Sequence, residues 1–236
     1  MRSMSFERLS GQHVHAEPSA AQCTGSGRRR WRLLAPCLTA VLAAGCFNSA
    51  SVKLTPEQVI WTPQNEFGRQ ARSHLMADFR QIVSEVQSSR DIGNKVNMRP
   101  EGLMVGFDKE HPSVHFTALD LDYLAPFDAA KTTFLQRAAG AYSAVLYGLA
   151  RILADHPALF NEPGLSGFGM TLRWKSTDPA GDRFGLAVQT ETMDAIIPAD
   201  VLRDFAASKI SIHVLSERSR FLSLTGQTEL DFTNLP

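Results

Sequence analysis

The sequence predicts an α+β fold, a mainly antiparallel sheet of hairpins with helices on one face. Three observations carry this. Two long segments repeat apolar residues every three or four positions. Several short segments alternate apolar and polar residues. Clusters of turn-forming residues separate the members of each alternating pair.

The first helix is expected from Thr62-Pro63, read as N-cap plus first-turn proline, to about Ser89. Phe67, Ala71, Leu75, Phe79, Ile82 and Val86 form its apolar stripe, with His74 at the border as a packed core-edge residue. Just before it, Leu54 to Trp61 is either an anchoring strand or a linker. A polar loop follows, Arg90 to Gly102. Leu103 to Phe107 and Ser113 to Leu124 then read as a hairpin around the turn Asp108–Pro112. The second strand changes phase between Phe116 and Leu119. A bulge near Ala118 would turn both apolar sets inward and point Asp120 and Asp122 to solvent.

The longest helix is expected from Pro126 and Asp128, with Asp128 as N-cap, to about Asp155. Phe134, Ala138, Ala141, Val145, Leu149 and Ile152 line one side. Gly140, Ala144 and Gly148 line another, where small side chains permit close approach. A membrane span is the rival reading of this apolar stretch, but Arg137 and Arg151 bracket too few residues for it. His156 to Gly167 is a loop. Phe168, Met170, Leu172 and Trp174 alternate along a strand, Asp178 to Asp182 forms the turn, and Phe184, Leu186 and Val188 return. Pro198 opens a short helix carrying Val201, Leu202 and Phe205. A third hairpin is read from Ile210, Ile212 and Val214, through Glu217 to Ser219, into Phe221 to Leu224. Asp122 to Pro126 and Asp194 to Pro198 precede two helices in a similar way, which suggests a duplicated ββα unit.

The chain has 236 residues, with 24 basic and 24 acidic side chains. The first 45 hold six basic and two acidic ones, which leaves 18 against 22 beyond them, a net charge of −4. Such a balance offers no basic face for nucleic acid. No P-loop, dinucleotide fingerprint or Gly-x-Ser-x-Gly elbow occurs, so no cofactor is expected and no catalytic residue is assigned.

Arg28 to Cys46 stands apart. Arg28, Arg29, Arg30 and Arg32 precede about a dozen mostly apolar residues that end in Ala43-Ala44-Gly45-Cys46. A basic cluster, a short apolar run and small residues at a cut site describe an export signal. The run falls short of the roughly 20 residues that span a bilayer. Residues 1–27 are polar and read as unfolded, an unusually long n-region. An early start codon or the twin-arginine export route would account for that length.

The end of this stretch resembles the lipobox of bacterial lipoproteins. The resemblance implies that the Cys46 thiol receives a lipid and that cleavage before it makes Cys46 the first residue of the mature chain. Leu is common three positions before the cysteine, where this chain has Ala43. Phe47 is not the Asp that retains such proteins at the inner membrane, so the resemblance implies the outer membrane, facing the periplasm. The resulting divisions are a signal peptide over 1–45, a lipidated terminus and tether over 46–61, and one periplasmic α+β domain over 62–236. The cysteines are Cys23, Cys37 and Cys46, so the mature domain would hold neither a free thiol nor a disulfide.

Two constellations could carry chemistry. Asp108, Glu110, His111 and His115 are the densest metal-capable set, and their spacing alone does not make them converge, so no metal ligand is assigned. Asp120 and Asp122 share a strand face about 7 Å apart, within reach of carboxylate-pair chemistry. The expected function is a membrane-anchored cell-envelope protein that binds or scaffolds a ligand or an envelope protein without catalysis. The alternative is a lipid-tethered hydrolase or metal-binding protein that uses the 108–122 hairpin.

Overall fold

The computed structural model describes residues 53–108, 111, 113–178 and 188–233. They form a mixed α/β body around a seven-stranded, mostly antiparallel sheet. The strands run in the order β1-β2-β4-β5-β6-β7, and β3 pairs with β4 off that path.

The chain enters through α1 (Pro56–Val59), whose first turn is closed by the Gln58 side chain accepting the Thr55 N–H at 2.9 Å. The anchoring strand expected at Val59–Trp61 reduces to one parallel bridge between Ile60 and Leu103. Next comes α2 (Glu66–Ser88), capped by Asn65, whose side chain accepts the Gly68 N–H. The cap therefore lies three residues beyond the expected Thr62, because the Asn65 carboxamide reaches an orphan first-turn donor. Ala71, Leu75, Phe79, Ile82 and Val86 are buried as the stripe predicted, and Phe67 is half-buried.

β1 (Val96–Phe107) and β2 (His115–Tyr123) form the expected hairpin. β1 starts within the segment expected to be a loop. The irregularity also lies in β1 rather than near Ala118. Met98 pairs with Leu121 and Leu103 with Leu119, so four β1 residues between them face one on β2. Glu101 takes a left-handed conformation there (φ 53°), as an extra loop of strand requires. At Gly102 a Cβ would lie 2.8 Å from the carbonyl oxygens of Arg99 and Asp120, so only glycine fits.

β3 (Phe127–Asp128) pairs with β4 where a helix start was expected. α3 (Phe134–Ala154) begins five residues later than predicted, at a capping box in which Thr133 and Gln136 exchange bonds of 2.9 and 3.3 Å. Asp128 instead caps a turn by accepting the Ala130 N–H. Part of the expected 156–167 loop is a short helix, α4 (Pro157–Asn161). β4 (Leu165–Thr177) and β5 (Val188–Pro198) are antiparallel over eleven register pairs. The turn between them, Phe184 and Leu186 lie outside the described residues.

Pro198 caps α5 (Ala199–Ala206), which buries Val201, Leu202 and Phe205 as predicted. The strand expected around Ile212 and Val214 is instead a helix, α6 (Ile212–Glu217), with Ser211 accepting the Val214 N–H. The final hairpin is β6 (Arg220–Ser223) with β7 (Gly226–Thr228).

β2 and β4 are parallel, joined through α3 and α4, so the sheet is mixed rather than purely antiparallel. Alternation sorts its faces. Leu119, Leu121, Met170, Leu172, Met193 and Ala195 share one hydrophobic cluster with the buried residues of α2, α3 and α5. Phe116, Ile196 and Leu222 form a separate small cluster on the opposite face. Among the described residues no helix is long and apolar enough to cross a membrane.

Candidate functional site

The face opposite the helices is unusually charged for a sheet. At one end lies Asp108, the residue that follows β1. It is buried, and Arg220 on β6 donates to its Oδ2 at 2.6 Å. The His111 Nδ1 lies 3.4 Å from the same oxygen. Two of the four metal-capable residues are thus brought together, but a guanidinium already holds their shared carboxylate. His115 is not with them. Its ring stacks on Phe67 of α2 with centroids 4.0 Å apart. Burial lowers its pKa by disfavouring the imidazolium, against the opposing pull of the Ser113 and Gly164 backbone. Glu110 lies outside the described residues. Among those described, no group of three or more His, Cys, Asp or Glu side chains could hold a metal ion.

The second constellation is corrected by the structure. Asp120 is buried rather than solvent-facing. It pairs with Arg173 of β4, and the Arg99 Nε lies 3.8 Å from its Oδ2. Asp122, half-exposed, accepts Arg99 Nη1 on both oxygens at 3.2 and 3.3 Å. Arg99 therefore bridges the two carboxylates. A buried carboxylate needs such a partner to remain in a folded protein.

These charges border a cleft of about 300 Å³. Its origin is topological. β2 follows β4 as far as Asp122 opposite Arg173, and β3 resumes with Phe127 opposite Ser176. Between them four residues, 123–126, face only two, 174 and 175, so the chain leaves β4 and returns. Leu124 from this detour is exposed at the cleft, while the side chains of Tyr123 and Trp174 pack toward the helix-side core. Asn97, Arg99, Arg173, Lys175 and Thr190 supply the polar lining together with Asp122. Burial raises the Tyr123 pKa, so its phenol stays neutral.

Sequence reasoning missed Arg99, Arg173 and Lys175. Arg173 was visible as a polar residue on an alternating strand, but its partner is set by the parallel β2–β4 register, for which the sequence holds no local signal. Cys46 lies outside the described residues. In comparisons with protein-family models, known protein sequences and solved structures, nothing matches this chain.

Proposed function

We propose that this chain is a lipid-anchored cell-envelope protein that works by binding rather than by catalysis. The observation that carries the reading is the stretch from Arg28 to Cys46, a basic cluster and a short apolar run ending in Ala-Ala-Gly-Cys. Among the described residues the first helix, α1, begins at Pro56, ten residues beyond Cys46. A short tether of this kind would hold the domain close to a membrane surface, facing the periplasm at the outer membrane because Phe47 follows the cysteine. Two or three acyl chains on Cys46 would give stable anchoring where one would not.

The binding part of the reading draws on the cleft, a concave site with convergent polar groups. The alternative, a tethered hydrolase or metal-binding protein using the 108–122 hairpin, has less support because its carboxylates are already engaged by Arg220, Arg173 and Arg99. We also read β1–β2–α3 and β4–β5–α5 as copies of one ββα unit. The support is that Asp122 and Asp194 lie near the end of the second strand in each, on the same sheet face.

The test is mass spectrometry of the mature amino terminus in a bacterial host that lipidates proteins. Cys46 should be the first residue and carry acyl chains, and Cys46→Ser should move the protein from the membrane fraction. A mature terminus at another residue, or an unmodified Cys46 on a membrane-bound chain, would overturn the anchor.

A further inference from the structure

We propose that the cleft between β2, β3 and β4 is a binding site for a small organic carboxylate with an apolar tail. The inference deepens the binding reading and rests on it, but does not depend on the lipid anchor. Its first support is charge. Arg99, Arg173 and Lys175 bring three positive charges to the cleft and its floor, against the carboxylates of Asp120 and Asp122. Asp194 on the same sheet face offsets part of this charge, and Lys175 is the lining cation that has no partner among the described residues, which leaves room for one further negative charge.

The second support is the supply of hydrogen-bond donors. Arg99 uses Nη1 on Asp122 and holds Nε at ion-pair but not hydrogen-bond distance from Asp120. Its Nη2 has no partner among the described residues. The same holds for Lys175 Nζ, the Asn97 side-chain amide and the Thr190 hydroxyl, all facing the same space. Donors converge there, and the one carboxylate lining the cleft already accepts twice from Arg99. A ligand that accepts without donating satisfies them, and a carboxylate does this in the plane that a guanidinium fork favours.

The third support is shape. Asp120, buried beneath, fixes Arg173 and orients Arg99, so the donors are held before a ligand arrives. Preorganisation of this kind reduces the entropy lost on binding. Leu124, 42% exposed, offers an apolar contact beside the charges. A volume of about 300 Å³ suits a ligand of modest size.

The probes are hexanoate, acetate and hexylamine, titrated into the full chain in low-salt buffer by calorimetry. Hexanoate should bind saturably and more tightly than acetate, because its methylenes meet Leu124, and hexylamine should not bind. Lys175 is exposed and has no partner among the described residues, so Lys175→Glu should fold normally and weaken hexanoate by at least about tenfold, as loss of a charge-assisted contact and reversal of its sign require. Lys209→Glu, the same charge change after α5, should leave it unaltered. Absence of saturable hexanoate binding, equal affinity for hexylamine, or equal weakening by the two variants would overturn the site. If hexanoate fails to bind while Cys46 carries a lipid, the cleft assignment alone falls. If hexanoate binds and Cys46 is unmodified, the anchor alone falls.

Discussion

Arg137 of α3 and Glu191 of β5 form a bidentate ion pair across the helix–sheet interface, with Nη2 2.5 Å from Oε1 and Nε 2.8 Å from Oε2. The Trp174 indole N–H donates to the same carboxylate at 2.6 Å, and Arg137 also reaches the Thr132 carbonyl. Both side chains are largely buried, at 8% and 14% exposed. Removing one partner leaves the other charged and poorly solvated, whereas neutralising both removes the problem. Arg137→Met should therefore cost about 3 kcal/mol, the low end for a broken buried pair because Glu191 keeps some water. Adding Glu191→Gln should recover part of that loss, since the amide oxygen still accepts from Trp174. Denaturant unfolding of the single and double variants measures this, and a double variant no more stable than Arg137→Met would show that the pair is not coupled.

The same carboxylate sets one pH response and His115 sets another. Burial pushes the Glu191 pKa up, but the bonds from Arg137 and Trp174 outweigh it and hold the pKa below the usual value. A lowered folded pKa stabilises the fold at pH above the unfolded value of about 4.3, and that stability is lost as pH falls through the folded pKa. His115 is also lowered, by burial, so it stabilises the fold above about pH 6.5 and loses that contribution on acidification. Unfolding midpoints should decline first below about pH 6.5 and again below about pH 4.3. His115→Phe keeps the stack on Phe67 and should remove the first decline, and Glu191→Gln the second. Glu66 and Asp128 are lowered too, by Arg69 and Lys131, but these are surface pairs that solvent screens.

What the sequence revealed divides by the range of the interaction. The two hairpins β1–β2 and β4–β5 and the stripes of α2, α3 and α5 were legible because alternation and helical spacing are local. Ile210, Ile212 and Val214 misled for a related reason, since period cannot separate strand from helix over six residues. The Ser211 cap was the better signal. Thr133 and Gln136 likewise spelled a capping box that Pro126 and Asp128 obscured. Asp120 with Arg173 and Arg137 with Glu191 were not legible at all, whereas Arg99 was missed because β1 was expected to begin only at Leu103. The first pair spans the parallel β2–β4 strands and the second joins the crossover helix α3 to the sheet, placements that no local pattern signals.

His156 ties the α3–α4 junction to α2. Its Nδ1 lies 3.0 Å from Asp78 and its Nε2 3.1 Å from Glu85, and the ring is buried. Both carboxylates keep water on one side, so losing the ring should cost less than breaking the Arg137 pair. His156→Leu should lower stability by about 2 kcal/mol, in the range for a buried hydrogen-bond partner removed. Asp78→Asn should cost less, because the amide still offers an acceptor. Urea midpoints compared at one pH decide this, and a neutral His156→Leu would mean that the junction is held by packing alone.

The small-residue edge of α3 has its tightest described contact at Gly148. A Cβ built there would lie 2.7 Å from Ile92 Cγ2 and 3.5 Å from Asp91 Cβ. Ile92 is buried, and a β-branched side chain cannot swing its Cγ2 away without leaving its preferred rotamer. Alanine would normally gain about 1 kcal/mol over glycine in a helix interior. Here the overlap should outweigh that gain, for a net loss of about 1–2 kcal/mol from overpacking. Ala144, one turn earlier, is only half-buried, although its carbonyl accepts Lys95 Nζ at 3.1 Å. Ala144→Leu should therefore be milder than a fully packed position would allow. The decisive comparison is a double-mutant cycle in denaturant. Ile92→Ala costs stability by leaving a cavity, but Gly148→Ala added to it should become neutral or stabilising, because the new methyl occupies vacated space. If Gly148→Ala destabilises equally with and without the Ile92 side chain, the helix does not approach the α2–β1 connection as closely as the geometry states.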